Sequence, residues 1–260
     1  MKTAVSEFAR VLKPAGGVCI SVLPNETSHK GSCPTRIPKA VFTALAPEMA
    51  VVRFEEMDDW GLPHSFGRYS VCLRKVEAQQ QPREDLPAFD GIPDADKYSH
   101  DYSRKWFGKG LLKLSEVSSW TEEDLDRELY MLSRWDQFKP AQFQEFVSRQ
   151  ILPLNISEAS RFSFLEIGMG VGAFARRILQ LYPGASGHGI DLEAEAVAIA
   201  ARVLPRSRMN LSVGTMLDLR FEPGSFDYVF VPGCLCYLRT LNQVGALFSS
   251  YLLDQLFVSG

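Results

Sequence analysis

Residues Phe164 to Gly172 read Phe-Leu-Glu-Ile-Gly-Met-Gly-Val-Gly, an apolar run that breaks into alternate glycines and leads into helical periodicity. Few folds call for that series. Glycine admits backbone conformations closed to other residues and lets the chain approach a ligand, and the helix that follows offers unpaired N–H groups in its first turn. On its own, such a turn is also an ordinary way of joining a strand to a helix. The surrounding pattern narrows the choice. Strands are predicted at Phe162 to Ile167, Ser186 to Ile190, Asn210 to Val213 and Tyr228 to Val231, with helices at Gly172 to Tyr182 and Glu195 to Leu204. This β-α-β-α-β-β order predicts a parallel sheet with helices on its faces.

The opening of the chain predicts more of the same sheet. Val5, Phe8, Ala9 and Leu12 share one face of a helix over Lys2 to Lys13, Pro14 stops it, Ala15-Gly16-Gly17 turns, and Val18 to Leu23 is a buried strand. A short helix is predicted at Lys39 to Leu45. Ala50 to Met57 and Arg68 to Val76 follow as strands with no crossover helix between them, and are therefore expected to be antiparallel neighbours. Glu77 to Asp96 is rich in Gln, Pro, Asp and Glu and reads as a linker. Beyond it, a helix through Trp135 and another from Pro140 through Ile151 are expected at the sheet edge or over the cleft. The organisation read from these segments is 1–76 as one half of the sheet, 77–104 as linker, 105–161 as helical cap and 162–260 as the other half. All of it is expected to form one structural domain, since 260 residues of 46% hydrophobic composition bury one sizeable core plus an appendage.

Charge and cysteine content limit the partners. Lys and Arg total 28 against 31 Asp and Glu, a net charge of -3 that offers no broad basic surface to a phosphate backbone, so nucleic acid is a poor candidate. The five cysteines are scattered and odd in number, a poor disulfide framework that fits a reducing compartment. Cys234 and Cys236 have no second pair nearby, so strand-end packing is expected of them and no metal site. No run reaches the roughly 18 apolar residues of a membrane span, and no secretory signal pattern opens the chain. A cytoplasmic protein is expected.

The ligand can be read one step further. Asp191 stands at the tip of the next strand, about 20 residues beyond the glycines, where a carboxylate accepts hydrogen bonds from two ribose hydroxyls. Nicotinamide and flavin enzymes share that arrangement, so adjoining residues must discriminate. Glu166 lies two residues before Gly168, where a dinucleotide fingerprint wants an apolar side chain and where a carboxylate would sit poorly beside a pyrophosphate. A ligand with a ribose and a positively charged end suits it better.

With these residues in place, the series Leu165 to Gly172, Gly189-Ile190-Asp191-Leu192, Gly214 to Leu219 and Ser225 to Val229 resembles the ordered motifs of class I S-adenosylmethionine-dependent methyltransferases. Glu7-Phe8-Ala9-Arg10-Val11-Leu12-Lys13-Pro14-Ala15-Gly16-Gly17 resembles that family's helix and turn before its fifth strand. The resemblance implies a Rossmann-like fold: α/β, doubly wound, a mostly parallel seven-stranded sheet ending in an antiparallel hairpin, in three αβα layers. It implies S-adenosyl-L-methionine as cofactor. Glu166, Gly168, Met169, Gly170 and Gly172 would lie along its methionine moiety, Asp191 would hold the ribose and Leu192 the adenine. Met216 and Leu217 would line the other adenine face, and Pro232 with Gly233 would border the methyl group. Thr215 departs from the pattern, standing where many members place an Asp that contacts the adenine amino group; either Asp218 substitutes for it or cofactor affinity is lower, and the sequence does not choose.

Order is the larger departure, because the elements at residues 1 to 76 precede those they follow in the family. Two origins fit: a circular permutant, or a segment drawn from two adjoining methyltransferase units or a faulty gene model. Halves that fit each other can pack within one chain or exchange between two, as in a strand-exchanged dimer. Methyl transfer obliges no acid or base. His64, Tyr98, His100, Tyr102 and Tyr237 are available as bases near the cleft, but no partner spacing singles one out, and the catalytic residues are left open. Val231 to Tyr237 lacks the Asn-Pro-Pro-aromatic tetrad of enzymes that methylate nucleobase amines, which points to a small-molecule or peptide acceptor. A nicotinamide-dependent oxidoreductase on a similar sheet and a noncatalytic methyltransferase-like remnant stand as the alternatives.

Overall fold

The computed structural model describes residues 4–22, 49–57, 68–75, 121, 123, 156–157 and 159–235. The expected linker, the short helix at Lys39 to Leu45, nearly all of the helical cap, and His64, Tyr98, His100, Tyr102, Cys236 and Tyr237 lie outside the described residues.

Helix α1 (Ala4–Val11) runs into strand β1 (Leu12–Val22), and β2 (Met49–Met57) and β3 (Arg68–Lys75) follow. The alternating part then gives β4 (Ser163–Ile167), α2 (Ala173–Leu181), β5 (Ser186–Asp191), α3 (Ala194–Val203), β6 (Met209–Val213) and β7 (Phe226–Pro232). These strands form one seven-stranded sheet in the order β2-β3-β1-β7-β4-β5-β6. Pairing is parallel from β1 through β7, β4 and β5 to β6, and antiparallel from β1 to β3 and from β3 to β2. Val18 stands opposite Val229 and Ile20 opposite Val231, so strands from the two ends of the described chain share the middle of the sheet.

Alternation along each strand divides the core into two apolar layers. Phe164 and Phe230 point to one face, where they join Phe174, Ile178, Ile199 and Ala200 of α2 and α3. Leu165, Ile167, Val229 and Val231 point to the other, where they meet Val5, Phe8 and Val11 of α1. On the first face the Phe164 and Phe230 rings meet edge-on with centroids 5.9 Å apart, and Phe174 follows 5.4 Å from Phe230. The result is the doubly wound, three-layer α/β arrangement. Its helices cover both faces of a sheet whose central strands are mostly apolar.

β1 differs from the sequence expectation. The predicted helix stop at Pro14 and turn at Ala15 to Gly17 are absorbed into the strand as an irregularity: the register against β7 shifts between Leu12 and Gly17, and Ala15 takes a φ of 59°. Proline is tolerated in strands at such places because no ladder hydrogen bond is asked of it. Side chains on either side hold the segment to the sheet. Lys13 Nζ donates to both carboxylate oxygens of Asp227 at 2.9 Å, and Lys75 Nζ donates to the Leu12 carbonyl at 2.9 Å. Burial pushes the Asp227 carboxyl up, but the N–H and hydroxyl of Ser163 and the Lys13 ammonium outweigh it and hold it below its usual range. Gly16 runs so close to β7 that a Cβ would stand 2.8 Å from the Asp227 carbonyl oxygen and 2.9 Å from that of Lys13. Both obstacles are backbone and cannot swing aside. Gly16→Ala is therefore expected to destabilise the protein by about 1 to 3 kcal/mol, the usual cost of forcing an extra methyl into a packed site, read as a lower midpoint in urea with an unchanged slope.

Candidate functional site

The chain passes from β4 outward to β5 and β6, then returns to β7 on the other side of β4. In open α/β sheets, ligands bind at such a reversal, outside the carboxyl ends of the strands. Here that place is bordered by the glycine turn after β4 and by Pro232 to Leu235 after β7.

The glycines of the turn all have positive φ: 66° at Gly168, 55° at Gly170 and 87° at Gly172. They serve different ends. A Cβ on Gly168 would stand 2.6 Å from the Cys234 Cβ, and Cys234 is itself held by an Sγ–H bond to the Ile167 carbonyl at 3.1 Å. Cys234 is thus strand-end packing, as expected from sequence. Gly172 caps α2, and a Cβ there would meet Leu204 Cδ1 at 2.7 Å. At Gly170, by contrast, nothing among the described residues lies within 4 Å of where a Cβ would be. The middle of the turn opens onto free space.

Asp191 organises the surroundings of that space. Its Oδ2 accepts the Gly170 N–H at 2.8 Å, its Oδ1 accepts the Glu193 N–H at 2.9 Å, and its carbonyl accepts the Gly214 N–H at 2.9 Å. One residue therefore ties together the glycine turn, the start of α3 and the loop after β6. A carboxylate oxygen can accept more than one hydrogen bond.

Glu166 is buried, at 1% exposure, next to the last residue of β4 before the glycines. It accepts the Ala175 N–H in the first turn of α2, a helix end that has no side-chain cap of its own. Its Oε2 is buried with no hydrogen-bond partner among the described residues. Desolvation is the main cause that pushes this carboxyl well above the usual range; the Ala175 N–H opposes it and the charge of Asp191 adds to it. An orphaned acceptor beside an open glycine turn fits a ligand that brings a cationic donor.

The remaining predicted residues divide. Met169 is 4% exposed, and its Sδ occupies the spot where a Cβ on Gly189 would be 2.2 Å away, so its side chain belongs to the core and only its backbone faces the turn. Leu192 is 68% exposed, and Val213, which sequence reasoning did not single out, is 56% exposed at the end of the next strand. Thr215 Oγ1 accepts the Leu217 N–H at 3.3 Å, so this hydroxyl shapes its own loop. Met216 and Leu217 are partly buried against the α1 side of the core. Asp218, considered as a stand-in for the missing Asp, faces Arg220 at 3.6 Å. Pro232 ends β7 opposite Ser21.

Sequence reasoning also missed how α1 reaches this loop. Glu7 is 3% exposed and forks onto Arg10, with Arg10 Nε to Glu7 Oε1 at 3.0 Å and Nη2 to Oε2 at 2.8 Å. Its Oε2 also accepts the Leu219 N–H at 3.0 Å. An i, i+3 pair of opposite charge on a helix ordinarily reads as a surface feature, and nothing in the residue pattern shows that the partners here are main-chain groups of a distant loop.

Comparison with known proteins finds likenesses to methyltransferases over part of the chain. Residues 164–251 match the family described as "Methyltransferase domain". The chain is 32% identical over 122 residues to phosphoethanolamine N-methyltransferase 2 of Caenorhabditis elegans, a match covering 46% of this chain and 23% of that protein. It is 31% identical over 100 residues to methyltransferase str2 of Strobilurus tenacellus, covering 38% of this chain and 34% of that one. Among solved structures, the plantazolicin methyltransferase BpumL aligns with 60% of this chain and 51% of its own, at 20% identity and a TM-score of 0.34. The chain thus spans about a quarter to a third of the length of the curated relatives it matches.

Proposed function

We propose that this chain, whose residues 164–251 match a methyltransferase domain, is a class I S-adenosylmethionine-dependent methyltransferase that binds S-adenosylmethionine outside the ends of β4 and β5 and passes the methyl group to a small-molecule or peptide acceptor. The observation that carries the reading is Glu166, a buried carboxyl with one oxygen unanswered beside a turn whose central glycine opens outward. The amino group of the methionine moiety supplies the donor that oxygen lacks.

Each remaining residue then has a task. Gly168 to Gly172 bring backbone close to the methionine portion, with Gly170 leaving room for it. Asp191 accepts the ribose hydroxyls while keeping the turn and α3 in register. Leu192 covers one adenine face, and Met216 with Leu217 cover the other. Thr215 gives the adenine amino group a hydroxyl instead of a carboxylate, which predicts a weaker contact there. Pro232 and Gly233 border the methyl group. The cofactor, when bound, supplies an electrophilic methyl on sulfur; the chain's own contribution is to align the acceptor with it and exclude water.

The acceptor class rests on the slightly acidic charge balance and on the absence of the tetrad used on nucleobase amines. A relative named for methylating phosphoethanolamine supports a small molecule. We read the swapped order of the sheet's halves as that of a circular permutant or of a segment from two adjoining copies. Calorimetric titration with S-adenosylhomocysteine and, separately, with reduced nicotinamide cofactor tests the proposal. Binding of the former alone is expected, followed by methyl transfer across a panel of amines, hydroxyls and short peptides. Tight binding of the nicotinamide cofactor alone would overturn it in favour of an oxidoreductase.

A further inference from the structure

The loop after β6 has no regular structure from Gly214 to Ser225; it starts beside Asp191 and carries Met216 and Leu217, to which the proposed function gives one adenine face. Such a loop keeps its shape only if its main-chain groups find partners. At its start the Gly214 N–H is taken by the Asp191 carbonyl at 2.9 Å, and within it the Asp218 N–H reaches the Thr215 carbonyl at 3.3 Å. Its middle is held from elsewhere. The Leu219 N–H is accepted by Glu7, the Leu219 carbonyl is capped by Arg10 Nη2, and the Phe221 carbonyl accepts from Arg10 Nη1 at 2.6 Å. The Arg10 carbonyl in turn accepts the Gly224 N–H at 3.0 Å. One ion pair on the first helix therefore saturates both main-chain groups of Leu219, two residues after Leu217.

The arrangement exceeds what helix stability asks of it. An i, i+3 pair on a helix surface contributes little and needs no third partner. Here the carboxylate is buried and shared between the guanidinium and a backbone N–H more than 200 residues away. The guanidinium's planar fork serves a carboxylate on one side and carbonyls on the other, which an ammonium could not match.

We propose that Glu7 and Arg10 are positioning residues for the adenine end of the cofactor site: by fixing Leu219 they hold Met216 and Leu217 at the distance from Asp191 that the purine requires. This rests on the reading that the rim binds an adenosyl group. Released, the loop would have to be ordered by the ligand itself, and affinity would fall by the cost of ordering it.

The test compares Arg10→Met, Arg10→Lys, Glu7→Leu and Glu7→Gln with Val5→Ala, which removes core packing from the same helix while leaving the clasp intact. Dissociation constants are measured for S-adenosylhomocysteine and for 5′-methylthioadenosine, which keeps the nucleoside and lacks the amino acid. Arg10→Met and Glu7→Leu are expected to weaken both ligands by the same factor, about ten-fold (1.4 kcal/mol), raising KM for the cofactor with kcat at saturation little changed. Glu7→Gln, which keeps an acceptor for the Leu219 N–H, should recover part of the loss. Val5→Ala, with thermal stability lowered to a similar degree, should leave both constants as they are. Equal losses in Val5→Ala, or unchanged constants in Arg10→Met, overturn the positioning role while leaving the proposed function standing. A wild-type protein that binds neither nucleoside overturns both.

Discussion

Glu166→Gln is expected to lose most of the protein's affinity for S-adenosylhomocysteine while leaving the fold as stable as before or more so. Burial without a second partner makes the native carboxyl costly to ionise, and the glutamine keeps an oxygen for the Ala175 N–H without carrying charge. A hydrogen bond to a charged group contributes roughly 1.5 to 3 kcal/mol, so the variant should bind about 10- to 150-fold more weakly. 5′-Methylthioadenosine has no amino group to offer and should bind wild type and variant alike.

The pH dependence has a definite sign. Because its folded-state pKa lies above the unfolded value, Glu166 favours the native state most at low pH, and that contribution is lost as pH rises from the unfolded value through the folded one. The wild type should therefore lose stability across that interval relative to the glutamine variant. Ligand affinity should move the opposite way, strengthening as pH rises toward the free protein's Glu166 pKa, since the ammonium pairs with the ionised carboxylate. Equal affinity of the two proteins for S-adenosylhomocysteine would remove the role assigned to Glu166.

Much of this site is legible in the residue pattern because glycine and buried charge are hard to explain otherwise. Gly168, Gly170 and Gly172 announce a turn with positive φ, and Glu166 inside an apolar strand announces a charge that something must answer. The pattern does not show which glycine faces a ligand. Gly168 and Gly172 are required by Cys234 and Leu204, whereas the third glycine of the turn, Gly170, meets nothing at its Cβ position among the described residues. The pattern is equally silent on the direction of the Met169 side chain, which folds inward and fills the hollow left by Gly189. The start of β1 is hidden behind Pro14 and Ala15, whose local preference for a turn is overridden by pairing with β7 and by Lys13 on Asp227. The clasp on Leu219 is the least legible part, because its acceptors and donors are main-chain atoms that every residue possesses.

Asp191 is where the sheet and the site meet, and Asp191→Ala is expected to weaken S-adenosylhomocysteine binding by about 1 to 3 kcal/mol, the range for charge-assisted hydrogen bonds to the ribose hydroxyls. Two causes contribute. The ribose loses its acceptor, and the Gly170 and Glu193 N–H groups lose theirs, so the turn is no longer pinned to the start of α3. Asp191→Asn separates them in part. It retains the shape and one acceptor oxygen, but its amide NH2 must face one of two backbone N–H donors, so it should relieve the geometric loss less than the similar size implies. Both variants should weaken 5′-methylthioadenosine as much as S-adenosylhomocysteine, in contrast to Glu166→Gln, because the ribose is common to the two ligands. An alanine variant with wild-type affinity for both would mean that the carboxylate serves only the turn, and that the ribose is held elsewhere.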